Sequence, residues 1–87
     1  MENAELAGLI GKTIIVTDKS WEKRCVRKIT ALDIIEDCFV VLYTNEKLPS
    51  GDNRLQVMRE KFEEGKAKYY KGFQNHQDEE EVAFQIE

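Results

Sequence analysis

Between Cys25 and Asn45 the chain reads CVRKITALDIIEDCFVVLYTN, its longest run of β-forming residues. A period of two puts Val26, Thr30, Leu32 and Ile34 on one strand face, interrupted only by Lys28, and Cys25, Arg27, Ile29 and Ala31 on the other. Glu36-Asp37 predicts a turn. After it, Cys38 to Tyr43 is apolar on both faces, the pattern of a central strand covered on two sides or of a strand in a small closed barrel. The stretch therefore predicts a hairpin whose second strand needs neighbours.

The flanking pattern supplies them. Leu6, Leu9 and Ile10 recur at helical spacing, with Asn3 as an N-cap and Gly11 as a stop, which predicts a short helical turn or docked arm over residues 1–11. The β-branched run Thr13-Ile14-Ile15-Val16-Thr17 predicts a strand, so residues 12–45 form a three-stranded meander. Residues 46–53 hold the single proline and a cluster of turn formers. Leu55, Met58 and Phe62 fall at i, i+3 and i+7, and Gly65 stands where a helix would end; these predict a helix within 53–65, about 54–64. Its outer face carries Arg59 and Glu63 as an i,i+4 pair. Ala67 to Phe73 and the alternation at Val82, Phe84 and Ile86 predict a second hairpin over 66–87, joined by a polar loop.

The order β-β-β-α-β-β gives a mainly β, α+β domain: a small, strongly bent five-stranded antiparallel sheet, or a barrel of SH3-like or OB-like type. The alternative is an open antiparallel sheet with Leu55, Met58 and Phe62 covering one face. At 87 residues the chain is one domain that buries only about 60 to 65% of its unfolded surface, and a second copy could supply missing core. An apolar content of 41% beside 34% charged residues argues against disorder and against membrane insertion. The acidic start MENAELAGLIGK does not read as a signal peptide, so a cytoplasmic location is expected. Cys25 and Cys38 fall out of register with each other and are expected as reduced, largely buried thiols.

Charge is unevenly placed. The formal net charge of −4 argues against indiscriminate nucleic-acid binding, yet residues 1–35 carry six basic and five acidic groups. The basic concentration runs from Lys19 to Lys28 and includes Lys23, Arg24 and Arg27. Trp21 sits within it, in the charged connection SWEKR, where its area favours either folding back over the core or anchoring a partner. Lys66-Ala67-Lys68-Tyr69-Tyr70-Lys71 has the composition of a single-strand binding surface, but strand alternation splits it between two faces; lysines guarding an edge strand account for it as well.

Chemistry is poorly represented. His76 lies among Asp78, Glu79, Glu80 and Glu81, but the segment lacks the ligand spacing and the glycine of a calcium loop. Two cysteines and one histidine do not make a zinc site, and any catalytic triad would depend on His76 alone. No catalytic residue, metal or cofactor is expected. The expected function is non-catalytic: an interaction or regulatory module that binds a protein partner through Trp21, Lys23, Arg24, Arg27, Lys28 and Tyr70, as small adaptors and phage or bacterial inhibitors do. The alternative is binding of an anion, nucleotide or nucleic acid through the patch at 19–28.

Overall fold

A computed structural model describes residues 2–49, 51–70 and 79–87. In chain order these form α1 (Asn3–Ala7), β1 (Thr13–Thr17), β2 (Cys25–Ile35), β3 (Phe39–Thr44), β4 (Arg54–Met58), a 3-10 helix (Arg59–Glu64), β5 (Lys66–Tyr70) and β6 (Glu79–Ile86). Each strand pairs antiparallel with the next, and β1 pairs with β6, so the sheet closes into a six-stranded barrel. Closure leaves no free sheet edge among these strands.

The barrel can close because β2 serves two neighbours. Its first part pairs with β1, from Val16↔Cys25 to Thr13↔Lys28, and its second part pairs with β3, from Ile29↔Thr44 to Ile35↔Phe39. The register slips between Ile29 and Ala31, so Thr30 forms a bulge, and its Oγ1 donates to the Tyr43 carbonyl at 3.3 Å. A bulge bends a strand and increases its twist. It also corrects the uninterrupted alternation expected for this strand: Cys25 and Ile29 join Leu32 and Ile34 against the core, while Val26 and Thr30 face outward.

Two further expectations are overturned. Residues 54–58 are a strand, followed by a 3-10 helix, in place of a helix over 54–64, and the barrel has six strands instead of five. The helical stripe of Leu55, Met58 and Phe62 omitted Val57. Leu55 and Val57 are both fully buried while Arg54 and Met58 are exposed, which is a period of two. The open edge of β3 decides the matter, because its buried backbone groups need partners and β4 supplies them from Tyr43↔Arg54 to Phe39↔Met58. Arg59, expected to pair with Glu63, instead donates from Nη2 to Asn3 Oδ1 at 2.5 Å and approaches Asp37 at 3.7 Å. These contacts draw the starts of α1 and the 3-10 helix to the β2–β3 turn.

That turn takes three residues, since Ile35 pairs with Phe39, and Glu36 and Asp37 adopt positive φ of 52° and 57°. Cys38 is thereby left exposed, against the expectation of two buried thiols; Cys25 is buried. In α1 the N-cap is Glu2 in place of Asn3, with a capping box to Glu5, and Ile10 is exposed although Leu6 and Leu9 are buried. β5 and β6 pair antiparallel from Lys66↔Ala83 to Tyr70↔Glu79; residues 71–73 of the expected strand lie outside the described residues, and β6 starts at Glu79, within the segment assigned to the loop. Phe84 packs edge-to-face on Phe62 with ring centroids 5.3 Å apart. Among the described residues no helix is long and apolar enough to cross a membrane.

Candidate interaction surface

Trp21 is positioned by the turn that ends β1. Ser20 Oγ donates to Asp18 Oδ2 at 2.7 Å, and the Trp21 amide donates to the Asp18 carbonyl at 2.9 Å, a side-chain-stabilised turn that asparagine and aspartate favour. The indole is half-buried and packs against the core. The expected folding back over the core is present, and part of the residue remains at the surface.

Opposite it lie the described loop residues 45–49 and 51–53, which are held from several sides. Arg27 donates from Nε and Nη2 to the Lys47 carbonyl at 3.2 and 3.0 Å, and from Nη1 to the Val26 carbonyl at 2.8 Å. Lys28 N donates to Asn45 Oδ1, and Asn45 N to the Lys28 carbonyl, both at 3.0 Å. Leu48 is buried in the core beneath. At the far end of the loop the Arg54 guanidinium meets Asp52 at 2.9 Å, and those hydrogen bonds hold the Asp52 carboxyl below its ordinary pKa against the opposing effect of burial. These contacts tie both ends of the loop to the barrel, and Pro49 lines the surface beside Trp21.

Trp21, Glu22, Lys23, Arg24, Val26, Arg27 and Pro49 surround a shallow depression of about 420 Å³. Val26 is 50% exposed there. Of the residues expected to bind, Trp21, Lys23, Arg24 and Arg27 come together. Arg27 does so as a clamp on the loop, its fork spent on backbone carbonyls, which makes it a positioning residue. Lys28 continues along β2 outside the depression, and Tyr70 ends β5 on another strand. Lys19 instead borders a second hollow with Lys66 and Glu81, so the basic stretch 19–28 does not form one continuous face.

No family model, curated protein or solved structure matches the chain.

Val26 and Pro49 were missed by sequence reasoning. Val26 alternates with Cys25 in a run where either face could be the core, and Pro49 joins the depression only through the loop clamp, which no local pattern encodes.

Catalytic geometry is a separate question. Among the described residues no three histidine, cysteine or acidic side chains gather as a metal site. His76 and its acidic neighbour Asp78 lie outside the described residues, as does Lys71. Burial pushes the Cys25 thiol above its ordinary pKa, opposed by the nearby positive charge of Arg27. The two cysteines should consequently differ in reactivity. A thiol reagent such as iodoacetamide is expected to modify Cys38 at least ~10-fold faster than Cys25 in the folded protein, with the difference vanishing in denaturant. Mass spectrometry of the labelled peptides reads the ratio, and equal rates under native conditions would contradict the burial of Cys25.

Proposed function

We propose that the protein is a non-catalytic interaction module that binds a protein partner over the depression between Trp21 and Pro49. The observation that carries this reading is a depression lined by the apolar side chains of Trp21, Val26 and Pro49 together with the charged side chains of Lys23 and Arg24. Apolar anchors encircled by polar groups are the usual distribution of binding energy in protein interfaces, where tryptophan and arginine are enriched. A standard footprint is about 800 Å² per partner, so contact would extend beyond the depression along the outward face of β2. The fold reading that accompanies it is a barrel of SH3-like or OB-like type, in which a long bent second strand is shared between two halves.

Binding of an anion through residues 19–28 is the weaker reading, because Arg27 is committed to the loop and Lys19 borders a different hollow. The two readings separate experimentally. The double variant Arg24→Glu, Val26→Asp alters exposed side chains and is expected to melt near the wild type. It should retain at least ~10-fold less of a captured protein partner, a loss of about 1.4 kcal/mol. Undiminished capture of every partner would refute the surface. Affinity for an oligonucleotide that falls steeply with added salt would support the anion reading in its place.

A further inference from the structure

We propose that the face of β2, β3 and β4 on the other side of Phe39 is a self-association surface, whose occupant is a second copy of this chain. The observation is a cross-strand row. Ile35, Phe39 and Met58 stand directly opposite one another on three adjacent strands, and they point outward because Ile34, Val40 and Val57 beside them point into the core. Ile35 is 44% and Met58 36% exposed, so two of the large exposed apolar side chains of the described residues share one row with a half-buried ring. Across three strands the row is about 10 Å wide.

The charges on either side of the row name the occupant. Beyond Met58 lie Lys61, Lys66 and Lys68, which share a depression of about 440 Å³ with Phe39, Met58 and Glu81. On the Ile35 side stand Asp33, two positions earlier on the same face of β2, and the exposed turn residue Glu36; Asp37 turns to Arg59 at 3.7 Å. The order across the face is acidic, apolar, basic. A two-fold axis running along β3 through Phe39 turns this order over, so that the basic side of each copy meets the acidic side of the other while the apolar rows meet at the centre. In the next row, Asp33, Val41, Gln56 and Lys68, the axis on β3 brings Gln56 of one copy over Asp33 of the second, with Lys68 one strand, about 4.8 Å, further out. Self-complementarity about a two-fold axis is what an isologous interface requires. A polyanion would meet the acidic side unfavourably, and an acidic peptide would leave that side unused. The second copy uses both.

The patch is small beside the ~800 Å² per partner of a standard interface, so association should be weak and reversible, with dimer appearing at protein concentrations of tens to hundreds of micromolar. Sedimentation velocity from 10 µM to 1 mM tests it. An acidic variant, Lys61→Glu with Lys66→Glu, and a basic variant, Asp33→Lys with Glu36→Lys, change exposed side chains only, and melting curves establish that each folds. Each alone is expected to be monomeric at concentrations where the wild type dimerises, with dissociation constants raised at least ~10-fold, and an equimolar mixture should form a heterodimer at least as tight as the wild type. Wild type that stays monomeric at 1 mM overturns the proposal, as does a mixture that fails to associate. Binding of oligothymidylate to the lysine side of a monomeric wild type would assign the face to single-stranded nucleic acid and overturn it as well.

Discussion

Alanine at position 65 is expected to cost about 2 to 4 kcal/mol, which for a domain of this size lowers the melting temperature by roughly 4 to 8 °C per kcal/mol. Gly65 ends the 3-10 helix with φ of +69°, where a side chain alone costs roughly 1 to 2 kcal/mol. A Cβ there would also sit 2.7 Å from the Phe84 carbonyl oxygen. The backbone cannot retreat, because the Gly65 carbonyl accepts the Phe84 amide at 2.7 Å, and Phe84 is the residue whose ring packs on Phe62. Gly11→Ala is the internal control. Its φ is +93°, yet a Cβ there meets nothing within 4 Å, so it carries the conformational cost without the collision. Thermal unfolding of the two variants should separate them clearly, and equal losses would mean that the close approach to Phe84 is relieved at no cost.

Leu6→Ala is expected to cost about 2 to 5 kcal/mol, the range for emptying a fully buried leucine site. Leu6 belongs to a helix of only five residues, too short to hold itself together in water, yet its side chain is 0% exposed. The helix is thus held by the barrel, and in return Leu6 and Leu9 complete the core of a domain whose total stability is expected at about 4 to 13 kcal/mol. Ile10→Ala, three residues beyond α1 and 49% exposed, should change stability by less than ~0.5 kcal/mol. Urea unfolding monitored by tryptophan fluorescence measures both. If the two substitutions proved alike, the N-terminal segment would be an appended arm with no share in the core.

These two positions show where sequence and structure divide. Gly65 was legible as the end of an element, because glycine after an apolar stripe is the residue that tolerates positive φ. Its collision partner was not, since Phe84 lies 19 positions away and reaches it only through the pairing of β5 with β6. Leu6 and Leu9 were legible as an apolar pair, but whether they formed a docked helix or a loose arm depended on what the barrel left uncovered. At the surface, Trp21 with Lys23 and Arg24 could be singled out from residue type and proximity alone. Arg27 looked equivalent to its neighbours and became a loop clamp, because its guanidinium lies beside the Lys47 carbonyl, twenty residues on.

What the chain determined by itself was local: β-branched and alternating runs made strands at 13–17, 25–35, 39–44 and 82–86, and the run from Cys38 to Tyr43, apolar on both faces, called for neighbours to cover it. What only the tertiary structure decided was non-local. The segment 54–58 is a strand because β3 had an open hydrogen-bonding edge, and that need outweighed a weak helical spacing. The bulge at Thr30 decided which face of β2 is core, since one extra residue reverses the alternation that a sequence pattern must assume is continuous. The row of Ile35, Phe39 and Met58 exists only after both events, because residues 23 positions apart become neighbours through strand register, and register is set by packing the whole barrel.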